Sequence, residues 1–184
     1  MEQKNYKLEI VLELLKRKNH ARSIAKELKT NHMIVVRKMK ELLHMNVVDF
    51  SEEGRNKVYF LKNNIEAKNY AIIAETYKLN KIISKYPILR GIVDEIIKNK
   101  KIKLAVLFGS YTKELADKNS DIDIYIETLD KNLKKQIENI NSKLSVKIGK
   151  FNLNSLLIKE IIKNHVIIKG LELYYGRNKF FEKT

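Results

Sequence analysis

The chain has 184 residues, enough for one large domain or two small ones with their own cores. It carries 37 Lys and Arg against 22 Asp and Glu, a formal net charge of +15, and no Cys, which excludes a disulfide framework, a thiolate metal site and a cysteine nucleophile. No apolar run reaches the length of a membrane span and the start of the chain lacks a signal-peptide core, so a soluble, cytoplasmic protein with no membrane partner is expected. In chain order, residues 6–17 place Leu8, Ile10, Val11, Leu12, Leu14 and Leu15 at helical spacing. Lys18-Asn19-His20 breaks that pattern. Residues 21–28 predict a short second helix, Lys29-Thr30-Asn31 a turn with Asn31 as N-cap, and residues 32–45 a third helix ending at Asn46. Residues 47–50, a turn over 51–56, and residues 57–61 predict a β-hairpin.

Three helices and a hairpin in this order resemble a winged helix-turn-helix DNA-binding domain. Ser23-Ile24-Ala25-Lys26-Glu27-Leu28 and Val35-Val36-Arg37-Lys38-Met39-Lys40-Glu41-Leu42 look like its second and third helices. Helical spacing makes Val35, Met39 and Leu42 core residues and leaves His32, Val36, Arg37 and Lys40 exposed. The resemblance implies that this exposed face enters the major groove of double-stranded DNA. The wing, with Arg55 and Lys57, would touch phosphate or minor groove. Arg37 and Lys40 suit guanine edges or phosphate, and Val36 a thymine methyl. Residues 1–64 hold 14 basic and 8 acidic residues, a mild excess that also suits a protein-interaction or dimerisation module.

Residues 65–86 are apolar on more than one face, as a helix packed against two surfaces would be. They predict a long connecting helix, buried between domains or against its copy in a homodimer. Pro87 ends it, and residues 88–99 predict a further helix. The domain division is therefore 1–63, 64–100 and 101–184.

Leu104-Ala105-Val106-Leu107-Phe108 is an unbroken apolar run bounded by Gly109-Ser110, which reads as a buried strand. Ser120-Asp121-Ile122-Asp123-Ile124-Tyr125-Ile126 alternates strictly. Its three isoleucines point one way and Asp121, Asp123 and Tyr125 the other, with Glu127 behind them. Two carboxylates on one strand face repel unless a cation lies between them, and Mg²⁺ is held by one or two carboxylates plus substrate phosphates. At the Gly-Ser turn, backbone N–H groups and a hydroxyl can hold phosphate oxygens.

Apolar strand, Gly-Ser, spacer and Ser-Asp-x-Asp together resemble the polymerase-β-type nucleotidyltransferase superfamily, above all its minimal archaeal and bacterial members. The likeness covers roughly residues 100–176. It implies that Gly109 and Ser110, with Lys113, bind the nucleotide. Asp121 and Asp123 would be the catalytic pair, binding Mg²⁺ (or Mn²⁺), with a nucleoside triphosphate, ATP first, as substrate or ligand.

After the Asp pair come a predicted helix at 130–140, a third strand region at 144–153 and a helix at 154–163. A last strand at 165–169 and one or two helical turns at 170–176 complete the chain. The whole is an α/β (α+β) protein: winged helix-turn-helix, connecting helix, then a small mixed sheet flanked by helices. The superfamily carries a third carboxylate on the third strand. Here Val146-Lys147-Ile148-Gly149-Lys150 stands there, with Lys147 in the acid's place. Thr112-Lys113-Glu114 likewise replaces the Ala-Arg-Gly of many relatives, without arginine's bidentate grip. Two functions are therefore expected. One is Mg²⁺-dependent transfer of a nucleoside monophosphate to a hydroxyl acceptor. The other is a winged-helix transcription regulator whose second domain is catalytically degenerate and senses nucleotide or dimerises. His20, His32, His44 and His165 show no ligand spacing, and no Walker Gly-Lys-Ser/Thr motif is present.

Overall fold

The computed structural model describes residues 4–182, which form two compact units. One runs to Tyr77 and includes Phe181 and Glu182; the other is Lys78–Phe180.

In the first unit, helix α1 (Tyr6–Lys16) starts at Asn5, whose side chain accepts from the Leu8 N–H. Strand β1 (Asn19–His20) follows, then α2 (Ala21–Glu27), α3 (His32–His44), β2 (Val48–Glu53) and β3 (Asn56–Leu61). The sheet order is β1-β3-β2, all antiparallel. This is a winged-helix topology.

The expected caps are present. Asn31 accepts from the Met33 N–H at 2.7 Å to open α3. Asn46 closes it in the left-handed region (φ 59°), with Asn46 N–H to Leu43 O and Val47 N–H to Leu42 O both at 3.0 Å. That pair of bonds is a Schellman motif with an apolar residue, Val47, buried behind it. α2 ends the same way at Lys29 (φ 50°), where Thr30 N–H reaches Ala25 O. Val35, Met39 and Leu42 are fully buried, as their spacing requires.

Two expectations are corrected. Lys18-Asn19-His20 is more than a break: Asn19 and His20 pair with Tyr59 and Val58 as the third strand of the wing sheet. The wing turn is also shorter than 51–56. Ser51, Glu52 and Glu53 pair with Val58, Lys57 and Asn56, leaving Gly54-Arg55 as a two-residue turn with Gly54 at φ 62°. These polar residues join through backbone bonds on an edge strand, so side-chain patterning does not reveal them.

Helix α4 (Ile65–Lys85) runs from the first unit into the second. In the first unit it buries Ala67, Ala71, Ala74 and Glu75; in the second it contributes Ile82, with Leu79, Ile83 and Tyr86 packed alongside.

The second unit continues with α5 (Leu89–Lys98), β4 (Ala105–Phe108), β5 (Ile122–Glu127) and α6 (Lys131–Glu138). It ends with β6 (Leu144–Gly149), α7 (Leu156–Lys163), β7 (Val166–Lys169) and α8 (Leu171–Asn178). The sheet order is β6-β5-β4-β7, with β5 and β6 parallel and the other pairs antiparallel, the small mixed sheet the sequence predicts. One face carries Ala105, Leu107, Ile122, Ile124, Ile126 and Val146 against α5 and α6. The other carries Leu104, Val106, Phe108, Tyr125 and Ile167 against Ile158 and Ile161 of α7 and Tyr174 of α8. Gly170 (φ 83°) is required between β7 and α8: a Cβ there would lie 2.2 Å from the Lys103 carbonyl oxygen. Among the described residues no helix is long and apolar enough to cross a membrane.

Candidate nucleotide site and candidate DNA interface

The alternation of β5 decides which side chains meet. Ile122, Ile124 and Ile126 are fully buried on the α5/α6 face, which turns Asp121, Asp123, Tyr125 and Glu127 to the other. Tyr125 seals that face from below; its hydroxyl donates to the Gly149 carbonyl at 2.8 Å, and burial pushes its pKa up. Glu127 is held at the far end by Arg177 at 3.1 Å and the Phe151 N–H at 3.3 Å. That engages it away from Asp121 and Asp123.

Asp123 lies opposite Phe108 in the β4–β5 register, so its carboxylate falls over the next residue, Gly109. A Cβ on Gly109 would meet Asp123 Oδ2 at 2.5 Å, and φ is 77°. Only glycine permits this approach. Ser110 follows and leads into a single 3-10 turn (Tyr111–Lys113). The Thr112 hydroxyl donates to Gly109 O at 2.8 Å, and the Lys113 and Leu115 N–H groups both donate to Ser110 O. Lys113 itself is exposed. Glu114, at φ 59°, turns the chain and is tied to Lys85 at 2.6 Å.

The loop then reaches Asp121 through a turn that the sequence reading missed. Asp117 accepts from the Asn119 N–H at 2.8 Å and from the Ser120 hydroxyl at 3.1 Å. The Asn119 bond is the main cause holding its carboxyl below the usual range. Asp-Lys-Asn-Ser is turn chemistry legible in the sequence. Asp121 emerges exposed just before β5.

Strand β6 supplies the neighbours. In the parallel register Ser145 stands beside Asp123, and Lys147 beside Tyr125, one step further along the same face. Burial raises the Asp123 pKa. The Ser145 hydrogen bond works against that, the charge of Asp121 adds to it, the Lys147 ammonium opposes it and Glu160 of α7 adds to it. Ser145 and Glu160 were not singled out in the sequence. No local pattern marks them, since one depends on strand register and the other on how α7 packs.

Two carboxylates on one face, one of them partly desolvated and crowded by its neighbour's charge, suit one hard cation shared with phosphate oxygens. Among the described residues no third His, Cys, Asp or Glu joins them in a metal-ligand group. The donors therefore fit a single ion rather than a two-metal cage.

The predicted DNA-facing residues lie in the first unit. Arg37 and Lys40 are exposed on α3, while His32 and Val36 are half-buried. Met33 is 67% exposed and shares a face with Arg37 and Lys40 by helical spacing, a residue the sequence reading passed over. Arg55 is exposed in the wing turn. Lys57 is exposed too, with its ammonium 4.0 Å from the centroid of the Phe50 ring.

Residues 91–175, just under half of the chain, match the family model described as "Polymerase beta, Nucleotidyltransferase". Gly109, Ser110, Asp121 and Asp123 all lie within that match, so the second unit carries a nucleotidyltransferase-type domain. No curated protein matches the chain. Among solved structures, the adhesin competence repressor (AdcR) of Streptococcus pyogenes is 17% identical and has a TM-score of 0.41. That match covers 52% of this chain and 78% of the other. A structure titled as a toxin-antitoxin with AMP-PNP is 22% identical with a TM-score of 0.36, over 58% of this chain and 81% of that one.

Proposed function

We propose that the second unit is a Mg²⁺- or Mn²⁺-dependent nucleotidyltransferase using a nucleoside triphosphate, ATP first, and that the first unit binds duplex DNA through α3. The observation that carries the enzymatic reading is the Asp123 carboxylate lying over Gly109 of the Gly-Ser turn, with the charge of Asp121 near enough to act on it. Asp121 and Asp123 would hold the cation, which when bound neutralises charge on the triphosphate. The Ser110 hydroxyl and the turn's amides would donate to phosphate oxygens, and Lys113 would add charge. The Ser145 hydrogen bond would orient Asp123 and favour its ionised form. Lys147 lies where a third acid would complete the site; it suits a phosphate oxygen and cannot accept the acceptor hydroxyl's proton while charged.

That lysine favours a second reading: a winged-helix regulator whose second unit binds nucleotide without transferring it. In either case His32, Val36, Arg37, Lys40, Arg55 and Lys57 are the proposed DNA contacts. A homodimer along α4, where Ile65 and Ile73 are exposed, is part of the proposal.

The test is calorimetric titration of ATP and GTP with Mg²⁺, wild type against Asp121→Asn/Asp123→Asn, with pyrophosphate release read on the same samples. Binding and release lost together in the variant support the transferase. Binding without release selects the regulator. Equal turnover in the variant sinks the assignment of the pair.

A further inference from the structure

The first unit holds a cavity of about 600 Å³ beside α3, and of the proposed DNA contacts Arg37 alone lines it. Four of its seven lining residues are cations: Lys4 and Lys7 at the start of α1, Arg37 and Lys38 on α3. Asn5 and Tyr6 complete the α1 side. Glu41 is the carboxylate bound to this cluster, accepting from Lys38 at 2.6 Å and pairing with Lys7 at 3.6 Å. The Lys38 hydrogen bond is the main cause holding its carboxyl below the usual range. Lys4 donates to the Leu28 carbonyl at 2.8 Å, and among the described residues no carboxylate pairs with Lys4 or Arg37. One anion among four cations leaves a concave, strongly positive surface.

The wing has the opposite balance. Across β2, its turn and β3 stand Asp49, Glu52 and Glu53 against Arg55 and Lys57. Glu52 faces Lys57 in the register, and the Lys57 ammonium lies over Phe50. Glu53 pairs with Lys18 at 3.0 Å and Asp49 with Lys62 at 3.7 Å. A polyanion gains less from such a surface, because carboxylates outnumber cations there and Lys57 already faces Glu52 and the Phe50 ring.

We propose that the Lys4–Lys7–Arg37–Lys38 cavity, more than the wing, seats the phosphodiester backbone of the duplex that α3 reads. The proposal rests on the DNA-binding reading and refines it. Continuity selects duplex DNA over a free nucleotide: Arg37 lines the cavity and also stands on the exposed α3 face with Lys40, so one strand's phosphates can follow from groove to cavity. Phosphate contacts fix register and orientation and carry the salt dependence of binding.

The experiment uses the full chain and a random-sequence 20-base-pair duplex, with anisotropy titrations over a salt series. Lys4→Gln/Lys7→Gln is compared with the wing variant Arg55→Gln/Lys57→Gln. Lys131→Gln/Lys135→Gln, at two exposed lysines of the second unit, controls for net charge. Two lost phosphate contacts lower the slope of log K against log salt by up to about 1.8, which is about 60-fold in affinity at 0.1 M salt for curves that meet at 1 M. The control variant should keep the wild-type slope, and the wing variant should lower it by less than the cavity variant does. Should the double variant melt early, Lys38→Gln removes one contact and lowers the slope by about 0.9.

A cavity variant indistinguishable from the control overturns this proposal while leaving DNA binding intact. A wing variant that loses more than the cavity variant does the same. A wild type that binds no duplex at low salt overturns both. ATP without metal that displaces duplex from wild type, but binds Lys4→Gln/Lys7→Gln poorly, reassigns the cavity to free nucleotide and also refutes it.

Discussion

Replacing Gly109 with Ala tests the geometry on which the nucleotide site rests. Two costs add. The residue sits at φ 77°, where an L side chain costs about 1–2 kcal/mol. The new Cβ would also lie 2.5 Å from Asp123 Oδ2, 3.3 Å from its Cγ and 3.4 Å from its Cβ. Relieving that contact means tilting the whole Asp123 side chain, an overpacking cost of about 1–3 kcal/mol. The second unit should lose roughly 2–5 kcal/mol in all. Gly54 is the internal control: its φ is 62° and nothing lies within 4 Å of its built Cβ, so Gly54→Ala should cost only about 1–2 kcal/mol. Urea unfolding of both variants, of Asp123→Ala and of Gly109→Ala/Asp123→Ala gives the comparison. Removing the Asp123 carboxylate should return part of the loss, a coupling of at least ~1 kcal/mol. If Gly109→Ala costs no more than Gly54→Ala, or the double variant is simply additive, the carboxylate does not lie where we describe it.

Three further expectations concern the charges around Asp123. Asp123→Asn should raise the melting temperature of the metal-free protein at neutral pH. Burial raises the folded pKa above the unfolded value of about 3.9, so stability declines as pH rises between the two and stays reduced above them; the amide escapes this. A gap between the two melting curves that does not change with pH would falsify this. Ser145→Ala and Lys147→Gln each remove a group that favours ionised Asp123, so the acid limb of Mg²⁺–ATP binding should move to higher pH. Glu160→Gln should move it lower, and the same direction in all three variants would contradict the charge pattern. Finally, Mn²⁺ titrated with a non-hydrolysable triphosphate should bind at one ion per chain by electron paramagnetic resonance. Lys147→Asp should allow a second, and two ions in the wild type would refute the single-ion donor set.

The features that local chemistry fixes were legible. Strict alternation in β5 separates three isoleucines from two aspartates whatever the rest of the chain does, and the observed faces follow it. Asn31 and Asn46 cap α3 because a short polar side chain can bond the first free amide or tolerate a left-handed φ. What escaped was set at a distance. β1 is two residues long and exists only because β3 offers it an edge. Ser145 meets Asp123 through a parallel register, which the crossover through α6 sets rather than any pattern within β6. The charge of Glu160 reaches Asp123 through the packing of Ile158 and Ile161 against the sheet. The basic cavity combines residues some thirty positions apart, each ordinary in its own helix.

The charge pattern on the Asp-bearing face constrains the chemistry more than the motif does. With an acid at residue 147, the strand pair would present three negative charges to bound cations. With Lys147 the same three positions, 121, 123 and 147, sum to −1. A first divalent ion still gains from Asp121 and Asp123, but a second would enter a site already net positive and would face the ammonium. The nucleotide must then bring most of the negative charge itself, which ties cation binding to triphosphate binding. The acceptor hydroxyl likewise needs a proton acceptor other than residue 147. Glu127 is held by Arg177 and the Phe151 amide, while Glu160 is exposed on α7 and its charge is felt at Asp123. Under the proposed transfer Glu160 is the candidate base: loss of pyrophosphate release with binding retained in Glu160→Gln would assign it that role, and unchanged release would exclude it.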